Sequence, residues 1–455
     1  MSSKRHYIKR AISYFGRNGL KETLYKAMER LQRDRAEASY VPQTADEETL
    51  KTQRQHIFRD PKRFSILVPV YETDPGLLRI MMDSVGGQSY ENWELVIADA
   101  SKGASRQDTV RAFREEYGFS DEKVRYIKID NKGISANTNA ALAVATGDYI
   151  ALLDHDDVLE KTALFDIMSA IEDRQGADRD AKVLVAYTDE DKVSSDGSRY
   201  FDVNRKPDFD PVLLCTNNYI CHFLVIDADL VRAVGGLRPE FDGAQDHDLV
   251  LRCTRGLNRE QIVHVPKVLY HWRSVAGSTS EDPSSKLYAY EAGKRAVTDH
   301  LNECGISAKI TDSPHLGFFE LKYTGRRLDR DAFSVRISPD LQPMDPKCID
   351  DMISAMHLPY VGIVTGKIIG RDGRIESAGF DIDDDGNKTP CFSGLGRHFS
   401  GYMHRASTDR LTDACSPDCM VIRNEAVESL GQEIKLKDGY FIYFDPRAVF
   451  TRKKK

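Results

Sequence analysis

Short apolar runs that alternate with helical stretches from Arg63 onward predict an α/β fold built on a mostly parallel sheet with crossover helices. Three observations predict it. FSILVPVY (64–71) and WELVIADA (93–100) have the length and content of buried strands and flank a helical LLRIMMDSVGGQ. VRYIKID (124–130) and YIALLD (149–154) flank ANTNAALAVATG, whose small apolar residues suit a packed helix. VLVAYTDED (183–191) and IVHVPKVLY (262–270) then supply further strands. Four βα units fit ahead of these last two.

Ligands of open α/β sheets sit beyond the carboxyl ends of the strands. That places Pro69, Val70, Tyr71, Glu72, Asp99, Asn131 and the run Asp154 to Asp157 on one rim. In YIALLDHDDVLE an apolar strand runs straight into Asp154, Asp156 and Asp157. Three clustered carboxylates raise one another's pKa unless a cation holds them. A hard divalent ion, Mn²⁺ or Mg²⁺, takes oxygen ligands, and next to substrate phosphates it uses one or two protein carboxylates. The cluster therefore predicts a metal–phosphate site; the competing reading is a strand-to-helix turn in which one Asp caps the helix and the others are solvated.

No GxxxxGK[ST] is present and no GxGxxG follows a strand, which excludes a P-loop and argues against a dinucleotide fold. DHDDV matches the DxDx[TV] pattern of haloacid-dehalogenase-type phosphatases, but there the motif ends the first strand, and here three strands precede it.

The 455 residues exceed one ordinary domain, and 41% hydrophobic with 30% charged residues is a globular balance. The eight cysteines contain no CxxC pair, which argues against a disulfide framework and a zinc site. No apolar run approaches the ~18 to 20 residues that cross a bilayer, and MSSKRHYIKR lacks a signal-peptide core, so a cytoplasmic protein is expected. Nucleic acid is not an expected partner. The net charge of −7 is uneven: residues 1–36 hold ten Lys or Arg against three acids, a segment of +7. Ile8, Ala11, Ile12 and Phe15, then Leu20, Leu24, Ala27, Met28 and Leu31, recur at helical spacing there, predicting two short basic amphipathic helices. Such helices suit an anionic membrane face, or packing on the main domain or a partner. Residues 37–62, polar and containing Pro42, read as a linker.

SILVPVYETD, LVIADASKG, NKGISANTNAALAVATGDYIALLDHDDVL, YTDEDKV, NNYICH, GGLRPEFDGAQDHDLVLR and HVPKVLYHWRSVAGSTS occur in the order and spacing of glycosyltransferase family 2. Residues 64–301 resemble that family, of the bacterial inverting kind with a GT-A fold that builds surface polysaccharide such as O-antigen or capsule. The resemblance implies a catalytic domain over 63–310 and an enzyme of the hexosyltransferase class. It would use a UDP- or dTDP-linked sugar donor and a glycan or lipid-linked glycan acceptor, at the inner membrane face.

Carried over residue by residue, the resemblance implies that Pro69, Val70, Tyr71, Glu72 and Asp99 hold base and ribose, with Asn131, Gly133 and Asn139 of the NKGISANTN block on the donor side. Asp154 and Asp156 would be the DxD pair binding ribose and metal, with Asp157 beside them. Asp246 in QDHDL would be the catalytic base, taking a proton from the acceptor hydroxyl, with Asp248 as the competing candidate. His271 would reach the metal or diphosphate, and Asn218, His222, Trp272 and Arg273 would line the acceptor or diphosphate side. A hydrogen-bonded structural role is the other reading of both histidines. Three departures from the family pattern stand out: Ala98 where an acid is common, Thr138 in place of an arginine, and Gln245 ahead of Asp246.

Residues 316–455 echo the first domain from its fourth strand onward. FSVRISPDLQP (333–343) parallels YIALLDHDDVL, IVTGKIIGRDGRIESAG parallels AYTDEDKVSSDGS, DCMVIRNEAVESLG parallels CHFLVIDADLVRAVGG, and GYFIYFDPRAVFTRK parallels QIVHVPKVLYHWR. Ser338 replaces the first DxD acid, Asp340 alone survives, and GQEIKLKDGY has nothing like QDHDL. A degenerate, non-catalytic GT-A-like half domain is expected, positioning acceptor or mediating assembly; an extension that covers the first domain is the alternative. Two other functions compete with transfer: a metal-dependent phosphohydrolase, and a non-enzymatic glycan-binding or assembly protein.

Overall fold

The computed structural model describes residues 15–16, 19–20, 23–32, 35, 39–177, 182–274, 287–325, 327–428 and 434–454. Residues 1–14, with the first expected basic helix, lie outside these, as do 275–286 and 429–433, which hold parts of the AGSTS and GQEIKLKDGY segments. The chain divides into two compact units, Ala36–Phe209 with Asn218–Val297, and Met1–Arg35 with Asp210–Asn217 and Thr298–Lys455.

The first of these is the α/β unit. Its strands are β1 Phe64–Val70, β2 Trp93–Asp99, β3 Val124–Lys128, β4 Tyr149–Leu152, β5 Val158–Leu159, β6 Val185–Ser194, β7 Tyr200–Asn204, β8 Leu224–Asp227 and β9 Ile262–Ser274. They form one sheet in the order β3-β2-β1-β4-β8-β6-β9-β5, with β7 on β6. β1 to β4 pair in parallel, as the alternating pattern predicts. β1 and β2 are buried on both faces, which explains their continuous apolar runs. β8 enters antiparallel between β4 and β6, so the sheet is mixed. Its four residues, LVID, carry no periodicity that reveals strand sense.

Helix Pro75–Gly86 follows β1, started by Asp74, whose carboxylate accepts from the Gly76 and Leu77 amides. Helix Ile134–Val144 follows β3 and packs on β1 and β2. The segment read as a linker holds a helix, Glu47–Gln55: Asp46 caps it by accepting from Thr49 N at 2.8 Å, and Leu50 is fully buried. One buried apolar residue in nine left no periodic signal to find.

The other unit holds β10 Ser307–Asp312, β11 Phe319–Thr324, β12 Phe333–Ile337, β13 Leu341–Pro343, β14 Val361–Ile369, β15 Ile375–Ser377, β16 Phe380–Ile382, β17 Lys388–Pro390, β18 Arg410–Thr412, β19 Cys419–Arg423 and β20 Phe441–Arg452. Its main sheet runs β12-β19-β14-β20-β13, with β15 on β14 and β18 on β20. That path has the senses of β4-β8-β6-β9-β5: antiparallel, antiparallel, parallel, antiparallel.

The registers also correspond. Tyr149 opposite Asp227 answers to Phe333 opposite Arg423, Val185 opposite Ile226 to Ile363 opposite Ile422, and Val158 opposite His271 to Gln342 opposite Thr451. In this register Ser338 stands where Asp154 does, Lys367 where Asp189 does, and Thr451 where His271 does. The β10–β11 hairpin occupies the chain ahead of β12, where the first unit has β1 to β3.

Candidate active site

The carboxyl ends of β1, β2 and β4 carry most of the predicted rim. Pro69 and Val70 lie within β1, and Tyr71, just beyond it, is exposed. Glu72 N donates to Ser101 Oγ at 2.7 Å, and its carboxylate accepts from Lys102 N at 2.9 Å, tying the β1 loop to the β2 loop. Asp99, fully buried, accepts from Ser101 N (2.8 Å), Tyr126 Oη (2.7 Å) and Lys128 Nζ (2.9 Å). Burial opposes its charge, but the donors, led by Lys128, outweigh it and hold its carboxyl below the usual range. With all three donors spent on it, the Asp99 carboxylate is committed to shaping the β2 end.

The NKGISANTN block is scaffolding in this structure. Asn131 Oδ1 accepts from Gly133 N (3.2 Å) and Asn137 Nδ2 (3.1 Å). Gly133 has φ +94°, a conformation that favours glycine, and a Cβ there would meet the Asp242 carboxylate. Asn139 clasps the backbone of Leu237 through its amide (2.7 Å) and its carbonyl (2.9 Å). Its side chain thereby ties the helix to the Leu237 backbone.

The three aspartates divide. Asp157 is 1% exposed, and both its oxygens are taken: Arg273 N donates to Oδ1 at 2.7 Å and Tyr270 Oη to Oδ2. Burial first, then the charges of Asp154 and Asp156, push its carboxyl well above the usual range. Arg273 Nε also donates to Asp156 O at 2.8 Å. Asp157 and Arg273 therefore staple the DHDD loop to β9, with both oxygens of the buried Asp157 engaged there. Asp154 and Asp156 remain open, their side chains 46% and 23% exposed. Burial, with the charge of Asp154 adding to it, raises the Asp156 carboxyl, and a cation would relieve that repulsion.

No group of three His, Cys, Asp or Glu among the described residues is arranged to hold a metal ion. Two open carboxylates at a strand end nonetheless fit a Mn²⁺ or Mg²⁺ that completes its shell from phosphate and water.

The structure brings His222, and not His271, to these acids. His222 Nε2 is 3.9 Å from Asp154 Oδ2, and the ring stacks on Tyr270 at 4.8 Å. On its other side Glu190 Oε2 accepts from His222 N at 2.5 Å and lies 3.7 Å from Nδ1. Burial works against the imidazolium, yet Glu190, Asp154 and Asp157 raise it to about 9. Glu190 is itself held down to about 2: burial disfavours its charge, and Lys206 and His222 overcome that. Lys206, with a fully buried side chain, donates through Nζ to Ile220 O at 2.8 Å and to His222 O, 3.7 Å from Glu190.

His271 is 2% exposed, its Nδ1 2.6 Å from Asp191 and its Nε2 3.6 Å from Glu160. Burial opposes its charge, but Asp191 and Glu160 outweigh it and raise the imidazolium to about 9, which places a proton on both nitrogens at neutral pH. Trp272, its neighbour on β9, is half-buried beside His222 at 5.8 Å. Successive β9 residues face opposite sides of the sheet, and this parity separates His271 from the DxD acids.

Asp246 lies in the first turn of helix Gln245–Thr254, half-buried, accepting from Asn218 Nδ2 at 2.9 Å. Asp248 is 1% exposed and paired with Arg252 at 2.7 Å and with Arg238. Two guanidiniums occupy it, so it is unavailable as a base. The short segment Asn218 to His222 joins both halves of the site, touching Asp246 at one end and approaching Asp154 at the other.

Sequence reasoning missed Glu190, Lys206 and Tyr270. YTDED repeats the pattern of DHDD, an apolar strand running into acids, and that signal points to Glu190.

Residues 65–205 match the model described as Glycosyl transferase family 2. The chain is similar to the uncharacterized protein y4gI of Sinorhizobium fredii, 32% identical, covering 81% of this chain and 48% of that protein. It is also similar to the O-antigen biosynthesis protein RfbC of Myxococcus xanthus, 30% identical over 66% of this chain and 22% of that protein. The chain thus spans about half the length of the first relative and about a fifth of the second. Among solved structures, S. aureus TarS in complex with UDP-GlcNAc aligns with 53% of this chain and 67% of its own, at 19% identity and a TM-score of 0.41. Residues 65–205, which hold β1, β2, β3 and the DxD strand β4, belong to a family 2 glycosyltransferase domain.

Proposed function

We propose that the chain is a metal-dependent inverting glycosyltransferase that moves a sugar from a UDP- or dTDP-linked donor to a hydroxyl of a glycan acceptor in bacterial surface polysaccharide synthesis. The observation that carries this reading is the division of labour in DHDD: Asp157 is spent on holding the loop, which leaves Asp154 and Asp156 open at the strand end. When bound there with the donor, a divalent cation offsets charge developing on the leaving diphosphate.

The chain's own residues do the rest. Asp154 and Asp156 would hold the cation, and the imidazolium of His222, held charged by Glu190, adds a positive charge beside Asp154. Asp246, positioned by Asn218, takes the proton from the acceptor hydroxyl as that oxygen attacks the anomeric carbon, and direct attack inverts its configuration.

The sheet-path and register correspondence supports a second inference, that β12–β15 with β19 and β20 are a degenerate half copy of the catalytic domain without its chemistry. The N-terminal segment supports peripheral contact with anionic membrane on the cytoplasmic face. Leu20, Leu24, Met28 and Leu31 are all more than half exposed or at half, at helical spacing, in a segment of net charge +7. No helix among the described residues is long and apolar enough to cross a membrane.

Turnover of a panel of nucleotide sugars to free nucleoside diphosphate, dependent on Mn²⁺ or Mg²⁺ and stimulated by acceptor, tests the proposal. If no nucleotide sugar is bound and Asp156→Ala changes nothing, the proposal fails. Release of inorganic phosphate would instead point to a phosphohydrolase.

A further inference from the structure

A second polar pocket lies wholly within the unit that lacks the DxD acids. It encloses a cavity of about 230 Å³ between helical residues 23–32, β14, β20 and the loop around Ser400. Its floor carries Lys367, 6% exposed, at the register position that Asp189 holds in the catalytic sheet. Among the described residues the Lys367 ammonium has no hydrogen-bond or ion-pair partner. A buried charge without a partner costs several kcal/mol, so such a group either loses its proton or takes a counter-ion.

The acids lining the pocket do not all supply that counter-ion. Glu29 is turned to Ser400 Oγ (2.8 Å) and Gly401 N (3.0 Å), makes no ion pair with Lys367 among the described residues and offsets its charge only in part. Asp409 is spent on Tyr443 Oη (2.6 Å) and Arg447 (2.8 Å). Among the described residues His315 Nδ1 is buried with no hydrogen-bond partner, and Arg397 is bonded only through its Nε, to His398. Burial, against a partial offset from Glu29, lowers Lys367 to about 8, as befits an ammonium that lacks its anion.

Two further features point beyond a bare ion. Tyr25 and His398 stack at 4.7 Å on one wall, a flat apolar surface, and Glu320 contributes a carboxylate without a partner among the described residues. The cavity has room for several waters, each taking about 30 Å³ in the liquid.

We infer that this pocket binds a sugar bearing an oxyanion, with Lys367, Arg397 and His315 on the anion, Glu320 on a hydroxyl and the Tyr25–His398 wall against the ring. The inference does not depend on the donor-site proposal. An acidic or phosphorylated residue of a glycan has this chemistry, and so does a free sugar phosphate.

Calorimetric titration of the full chain with glucose 1-phosphate, glucuronate, inorganic phosphate and glucose tests it. Glucose 1-phosphate or glucuronate should bind the wild type and Asp156→Ala alike, which sets the pocket apart from the donor site. Lys367→Met, which keeps the volume of a buried chain, should weaken that binding at least tenfold, and the exposed Arg397→Gln severalfold with the fold intact. Which probe binds more tightly distinguishes phosphate from carboxylate, and binding of inorganic phosphate alone at equal affinity would overturn the sugar contact. Unchanged affinity in both variants, binding of glucose as tight as that of the anions, or no binding by any probe would overturn the inference.

Discussion

His222 Nε2 stands 3.9 Å from Asp154 Oδ2, with Glu190 on the opposite side of the ring. A charged imidazole is thereby set against the first acid of the DxD pair, held by a carboxylate that Lys206 in turn keeps ionised. The chain Lys206, Glu190, His222, Asp154 alternates in sign, so each buried charge has an opposite neighbour.

Glu190 sets a pH dependence of stability. Its folded pKa, about 2, lies below the usual 4.5, so its ionised form stabilises the fold above pH 4.5, and that contribution is lost as pH falls toward 2. At about 1.4 kcal/mol per pKa unit the loss amounts to a few kcal/mol. Urea denaturation at pH 5 and pH 3 should show this drop in the wild type, and Glu190→Gln, already destabilised at pH 5, should show less of it. Equal pH dependence in both proteins would contradict the assignment.

Asp246 and Asp248 should separate cleanly. Asp246→Asn removes the proposed base but keeps the Asn218 contact within reach, so transfer should fall by orders of magnitude while nucleotide affinity and melting temperature hold. Asp248→Asn leaves Arg238 and Arg252 without their carboxylate and should cost about 3 kcal/mol of stability. Loss of nucleotide affinity in Asp246→Asn would show a ligand, not a base.

Gly133→Ala should destabilise the catalytic unit by about 2 kcal/mol, since φ +94° is open to little but glycine and the new methyl meets Asp242. An unchanged denaturation midpoint would show that the Asn131 loop is not held as described.

Sedimentation with vesicles tests the N-terminal stripe. Joint replacement of Leu24, Met28 and Leu31 by Gln should reduce binding to anionic vesicles and leave pocket ligation unchanged, because Tyr25, Lys26 and Glu29 lie on the pocket side. Binding that persists would place the basic residues elsewhere.

The sequence made the sheet legible where strands are buried on both faces: FSILVPV and WELVIAD cannot pack any other way. Strand sense was not legible for LVID, because four residues carry no sense. The acids of DHDD were visible as a cluster, but their division was not. That Asp157 is a staple depends on Tyr270 and Arg273, more than a hundred residues away across β9. The choice between His222 and His271 turned on side-chain parity along β9, which needs the register. Lys206, in the polar RKPDFD loop, gave no sign of burial, since its partners Glu190, Ile220 and His222 come together only in the fold.

The most direct measurement is equilibrium binding of UDP and dTDP to the wild type and Asp156→Ala, each with Mn²⁺ and with chelator. At least one nucleotide should bind the wild type with Mn²⁺, chelator should weaken that binding at least tenfold, and Asp156→Ala should show the weak affinity under both conditions. Nucleotide affinity indifferent to both metal and Asp156 would contradict the proposed function.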